Sequence, residues 1–329
     1  MWLTLLVACG RRALPAFAAC QTGCTAPLVL VADVPLPGAA NRFDYQAIDA
    51  EHGLLYIAHM NDAAVDVVAL EDGAIVTELR GVQRARGVAV GRDFVYVTSS
   101  PDELVRIDRT SHAIIDRVPT GSSPDGVDYD PADDIVGVSD QGDGALSLLT
   151  DGGGGRRTQV QLGSATGNVR YDALRGRFWI TVEHESGTDE LASVVPATGA
   201  VDQSFALSGC EAAHGLILDD ATAFVACEGN AILTRVRLDT GEKSTGPTGR
   251  GPDVLALDPE LHRLYVAAEA GDLTIFDTSE PGVVRVGSQS VGPHAHSAAV
   301  DPATHRVYFP LEDDGSGEPV LRIMIPEDR

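Results

Sequence analysis

Along most of the chain, short apolar runs with period-two alternation are separated by turns rich in Asp, Gly and Pro. That alternation marks half-buried β-strands, because successive side chains point to opposite faces of a sheet. Helical periodicity of any length is missing. The stretch AAHGLILDDATAFVACEGNA, Ala212 to Ala231, shows the local unit. A His-Gly opens one strand, an acidic turn reverses the chain, and a Cys-Glu ends the next. The turn pairs Leu218 with Ala223, and regular pairing onward from there predicts His214 opposite Cys227, with Glu228 next along.

The same unit recurs roughly every forty residues. It reads FDYQAIDAEHGLLYIAH, ARGVAVGRDFVYVTS, PDGVDYDPADDIVGVSD and TGNVRYDALRGRFWITVE, then AHGLILDDATAFVACE, PDVLALDPELHRLYVAAE and AHSAAVDPATHRVYFPLE. Two more strand-like runs follow each hairpin, such as AAVDVVAL and AIVTELR. Each unit is a four-stranded antiparallel sheet, too small to bury both faces alone. Seven of them packed radially predict an all-β, seven-bladed propeller. The last unit is a strand short, since only PVLRIMI follows its hairpin. The N-terminal run LVLVADVPL belongs to no blade and is predicted to close the seventh as its outer strand, covering an edge otherwise left open. The body is then one domain over 26–329. The run TDGGGGRR, Thr150 to Arg157, reads as a long surface hairpin in the third blade. Tyr56, Tyr96, Trp179, Phe224, Tyr265 and Tyr308 are assigned to packing between blades. His52, His112, His262 and His305 fall in turns and are expected to be solvated.

Charge narrows the partners. The chain has 48 Asp and Glu against 24 Lys and Arg, a formal net charge of −24. A field of that sign repels phosphate backbones, so nucleic acid is not an expected partner. No apolar segment is long enough for a membrane span. Residues 1–25 read either as an export signal or as an over-extended start, and AFAAC offers a lipid-anchor site at Cys20. Export makes the protein periplasmic or secreted. Cys9, Cys20 and Cys24 fall in that segment, leaving Cys210 and Cys227 in the body. In an oxidising compartment these two are expected to form a disulfide that holds the leading loop beside His214. The rival reading makes them thiolate ligands, with His214, to a soft metal.

The run YVTSSPDELVRID, Tyr96 to Asp108, resembles the YVTN-type β-propeller repeat, with related units starting at Tyr56 and Tyr265. The body as a whole resembles the seven-bladed YncE-like proteins of that group. The resemblance implies the fold. It implies no single activity, because such propellers serve as surface proteins, binding modules, lactonases and lyases. A DNA-binding role suggested for some YncE-like proteins fits the charge poorly.

Propeller geometry then sorts the candidate chemistry. The inner strand of each blade begins near one mouth of the central channel, and the second strand returns there. Residues opening the first strands form one column: Asp44, Arg86, Asp125, Gly167, His214, Asp253 and His296. Residues ending the second strands form another: Met60, Ser100, Asp140, Glu183, Glu228, Glu269 and Glu312. With 48 acidic positions in 329, seven places should hold about one; this column holds five. Imidazoles and carboxylates converging on one point are a donor set for a divalent metal. His214 and His296, flanking Asp253 and Glu269, are placed to reach a shared ion, with Glu228 beside them. His294, two residues before His296, either points the same way or lies in the loop above. Without a metal, His214 or His296 beside a carboxylate forms an acid/base pair, with Arg86 opposite to hold an anionic group and Asp44, Asp125 and Asp253 lining the substrate side. Seven-bladed streptogramin-type lyases are similar in plan, using propeller histidines and an acid with a metal, although no residue-level motif is shared. Asp125 and Asp253, each after a proline, read equally well as blade-to-blade ties that accept backbone amides.

Two readings of function follow. One is a metal-assisted lyase or hydrolase acting on a small molecule at the mouth. The other is a non-catalytic exported propeller that binds a protein or ligand there. No nucleophile elbow, zinc-protease helix motif or phosphate loop adds a third.

Overall fold

The structure, a computed structural model, describes residues 28–327. The export-signal segment and the anchor site at Cys20 lie outside the described residues. Seven four-stranded sheets stand around a central channel, every pairing antiparallel. The only helical pieces among the described residues are three single 3-10 turns, at Met60–Asp62, Gln141–Asp143 and Glu228–Asn230. No helix among them is long and apolar enough to cross a membrane.

The recurring Asp-Pro turn has a local cause. Asp130, Asp172, Asp258 and Asp301 each end an inner strand and are nearly fully buried. Each carboxylate accepts the backbone N–H two residues on, at Ala132, Leu174, Glu260 and Ala303. That turn starts the second strand at once and at the right angle. Some of these turns also tie neighbouring blades. Arg109 of blade two forks onto Asp49 of blade one at 2.6 and 2.9 Å. His305 of blade seven lies 2.7 Å from Asp258 of blade six. His112 reaches the Tyr56 hydroxyl at 3.3 Å, and His52 bonds Asp49 at 2.9 Å. Of the four turn histidines expected to be merely solvated, only His262 is exposed without such a partner among the described contacts. The other three help to hold the turns because carboxylates and a phenol face them.

Packing between blades carries the core. Tyr56, Tyr96, Trp179, Phe224, Tyr265 and Tyr308 are all buried at the blade interfaces. Trp179 stacks on Phe205 with centroids 5.7 Å apart. The glycine-rich run of blade three packs on blade two, with the Arg106 guanidinium donating to the Gly152 carbonyl at 3.2 Å.

Closure of the ring uses both ends of the chain. The strand Leu28–Pro35 pairs with Val320–Pro326 as the outer strand of blade seven. Arg322 clamps the join: it forks onto Asp33 at 2.7 and 2.8 Å and donates to the Val291 carbonyl at 2.5 Å. Replacing a mostly buried, three-way donor leaves a carboxylate and a carbonyl without their cation. Arg322→Ala is therefore expected to lower the unfolding free energy by about 2 kcal/mol, read by urea denaturation. A change within measurement error would show that strand pairing alone holds the ring shut.

Candidate functional site

Five of the seven inner strands reach the mouth through a bulge. In blade five, Ala213 faces Cys227 while Leu216 faces Val225, so one extra residue is taken up at His214–Gly215. The same shift occurs in blades two, three, four and six. Leu218 does pair with Ala223, but the bulge moves the register, and Ala213 rather than His214 stands opposite Cys227. A bulge re-aims the side chain it carries. Here it puts Arg86, Asp125, His214 and Asp253 at the channel mouth.

In blades two and five the bulge needs room that only glycine leaves. A Cβ on Gly215 would lie 1.9 Å from the Asp253 carbonyl oxygen, and one on Gly87 2.2 Å from that of Asp125. Strand-two hydroxyls fill the gaps. Thr98 accepts from the Gly87 N–H at 2.7 Å and donates to the Asp125 carbonyl at 2.6 Å. Thr181 donates to the His214 carbonyl at 2.8 Å. The bulges of blades three and five are thus tied to the preceding blade.

The Cys210–Cys227 disulfide joins the loop before His214 to the end of the second strand. With both sulfurs bonded to each other, the thiolate-ligand alternative for this pair is removed. The bridge packs among Trp179, Leu207 and Leu216. It anchors the approach to His214 in core rather than in solvent.

The mouth holds a cavity of about 460 Å³. From the first column it takes Asp44, Arg86, Asp125, His214 and Asp253, and from the second Met60, Glu228 and Glu269. Gly167 adds no side chain. Asp140 does not belong to the second column: it pairs with Pro124 and is fully buried, accepting from Gly121 N–H, Ser147 and Gln159. The next residue, Gln141, takes the column place. Ser100, Glu183 and Glu312 are not among the residues lining the cavity.

Arg42, Asn61 and Arg84 line it as well, and the repeat pattern had not singled them out. Arg42 and Arg84 stand two places before Asp44 and Arg86, on the leading loops. The corresponding residues Ser123, Ala212, Gly251 and His294, like Arg84, have positive φ. A fixed offset from the column was the available signal.

Charge is partly settled inside the site. His214 Nε2 lies 3.3 Å from Asp125 Oδ2 and 3.9 Å from Asp253 Oδ1. Burial works against protonation of His214, but the contact with Asp125 outweighs it and lifts the imidazole to about 10. Asp125 is held below the usual carboxylate range despite burial, by His214 and by Arg86 at 3.5 Å. Arg86 also donates to Gln141 at 2.8 Å. Burial, then the charges of Asp125 and Asp253, pushes Asp44 up to about 7. Burial also lifts Asp253 to about 7, with Glu228 and Glu269 adding to it and His214 opposing.

Two groups of metal-ligating type meet at Asp253: His214, Glu228 and Asp253, and Asp253, Glu269 and His296, the last of which lies behind the residues lining the cavity. Within each, the ligand atoms lie within 4.8 Å of one another. The two histidines do not share one point. They stand on either side of Asp253, which belongs to both groups. His296, only 2% exposed, places Nδ1 2.8 Å from the His294 carbonyl. Donation from Nδ1 leaves Nε2 as an acceptor, the arrangement that presents an imidazole to a cation. Neither His296 Nε2 nor Asp253 Oδ1 has a hydrogen-bond partner. His294 lends its carbonyl to this arrangement. A third group, Asp49, Glu51 and His52, lies among the turns around Arg109.

The fold and the mouth define a seven-bladed β-propeller with a polar, mixed-charge well. A scan against protein-family models finds no match, and a search of curated protein sequences finds none. Among solved structures, a chain of the Kuenenia stuttgartiensis hydrazine synthase is similar at a TM-score of 0.72 and 16% identity, over 89% of this chain and 97% of that one. The structure of U3-55K is similar at a TM-score of 0.72 and 7% identity, over 88% and 98%. At these identities the likeness is one of fold.

Asp44 gives the site a test that needs no ligand. Its carboxyl is raised in the folded protein, so the native state holds the extra proton between the unfolded value near 4 and about 7. That contribution to stability is present at low pH and is lost as pH rises through 7. Between pH 5 and 8 the parent is expected to lose roughly 3 kcal/mol through this group, so that Asp44→Asn, which keeps the contribution of Asp253, loses less by about that amount. Denaturation curves at both pH values decide it; parallel losses would remove the buried repulsion from the account.

Proposed function

We propose that the channel mouth is a divalent-metal site that acts on a small anionic molecule, in the manner of a metal-assisted lyase or hydrolase. One observation carries this reading. The buried Asp253 carboxylate turns Oδ1 toward His214 and Oδ2 toward His296, at 3.9 and 4.0 Å, and Oδ1 is without a hydrogen-bond donor. Leaving buried acceptors unpaired costs stability unless something else satisfies them. The mixed imidazole and carboxylate donors suit zinc, manganese or iron. His214, Glu228 and Asp253 would hold the ion, with His214 giving up its proton as the ion enters, and the ion would supply Lewis-acid polarisation of a bound oxygen. Arg84 and Arg86 stand across the cavity to hold the anionic group. Asp44 and Asp125 line the same well, and Asp125 orients His214.

The YVTN-type resemblance supports reading the chain as a YncE-like propeller. The disulfide and the apolar N-terminal run support export to the periplasm or beyond, with residues 1–25 as the signal and the remainder as one domain. A second reading, a non-catalytic binding propeller, is favoured by the His214–Asp125 pair, which balances its own charge without any ion.

Metal analysis separates the two. Protein dialysed against zinc or manganese is expected to retain one equivalent, lost in Asp253→Asn and in His214→Ala. At a hundredfold excess over Kd, the ion should stabilise the parent by about 2.7 kcal/mol. Protein that keeps no ion and gains no stability from either would favour the second reading.

A further inference from the structure

Asp253 has two faces, and only one of them is shared with an arginine. The face shared with Glu269 and His296 is next to Arg42. The Arg42 Nη2 lies 2.7 Å from Glu269 Oε1 and 3.8 Å from Asp253 Oδ2. A guanidinium is permanently cationic, so these two carboxylates already have a positive partner tethered to the chain. The other face, toward His214 and Glu228, has no arginine within ion-pair distance of Asp253 Oδ1 among the described contacts. A bridging carboxylate flanked by two imidazoles is the frame of a two-ion centre. Arg42 stands in one half of that frame.

We propose that Arg42 is a built-in competitor for the Asp253–Glu269–His296 subsite. The mouth therefore takes one divalent cation, at His214–Glu228–Asp253, and a second enters only where the Arg42 side chain is removed or drawn away. This rests on the metal reading above and adds stoichiometry and selectivity to it. The geometry allows the side chain to leave. Arg42 lies on the leading loop before blade one, its side chain is about a third exposed (32%), and it reaches Glu269 in blade six from outside that blade. An anionic ligand is one agent able to draw it off, since a phosphate or carboxylate offers the guanidinium the same forked acceptor that Glu269 does. Arg42 is thus a positioning and specificity residue rather than a ligand to the ion.

The probe is Mn²⁺ alone, titrated into the folded, disulfide-intact protein and followed by calorimetry and electron paramagnetic resonance. The parent is expected to bind one Mn²⁺ with the spectrum of an isolated ion. Arg42→Gln should bind two, with the spectral broadening of a coupled pair, and Arg42→Lys, which keeps a cation, should stay at one. A coupled pair in the parent itself would overturn the proposal while leaving the metal reading intact, and needs no variant to fold. Binding of a single ion by a folded Arg42→Gln protein would do the same. Absence of binding in both parent and Arg42→Gln would overturn the proposal together with the metal reading beneath it.

Discussion

Seven inner strands must converge on one axis, and where they bulge the contact that permits this is the close approach of one blade's bulge to the next blade's backbone. Gly87 meets the Asp125 carbonyl and Gly215 meets that of Asp253, at separations no side chain tolerates. Thr98 and Thr181 complete the contact with hydroxyls that bond across blades. Without the bulge the column side chains would alternate into the blade interfaces with their neighbours. With it, they are turned toward the mouth while the strand resumes its register lower down. The architecture and the candidate chemistry thus share one physical cause.

That cause also explains why charges are buried here at all. A carboxylate loses most of its hydration on entering an interior and must be compensated nearby. Asp125 is compensated by His214 and Arg86, and Glu269 by Arg42. Asp44 and Asp253 are less completely served, which is why both are lifted to about 7. Unequal compensation within a rigid ring distinguishes the site from a blade tie such as Asp258, whose Oδ1 accepts turn amides and whose Oδ2 meets His305. Perturbed carboxyls gathered in a cleft are the usual physical sign of function.

Much of this was legible along the chain. Period-two alternation, the repeated Asp-Pro turn and the missing last strand define the seven blades and the N-terminal closure, since each is a local pattern repeated many times. The first column was readable for the same reason. The register inside a blade was less so. Regular pairing from the Asp219–Thr222 turn puts His214 opposite Cys227, and the bulge defeats it. The bulge follows from packing around the axis, a constraint between blades that no single hairpin carries; its one trace is the glycine following Arg86, Asp125 and His214. Asp140 was misplaced by one position because it is still the last residue of its strand, whereas Glu228 and Glu269 follow the ends of theirs. Arg42 and Arg84 escaped notice because they precede the strands, where the repeat is least regular.

The charge of the whole chain and the charge of the mouth are different quantities. The chain carries a formal −24. Around the cavity, Asp44, Asp125, Asp253, Glu228 and Glu269 face Arg42, Arg84, Arg86 and a His214 held protonated. The mouth is therefore close to balanced, and the acidic excess lies elsewhere on the molecule. A long-range field of that sign raises the cation concentration near the surface in general and falls off within about a nanometre at physiological salt. It cannot by itself choose the mouth. Selection there falls to short-range geometry, in which any incoming ion or anion must replace an ion pair already formed. Affinity at the mouth is thus the difference between the contacts a ligand makes and those it breaks, and the arginines set that difference as much as the histidines do.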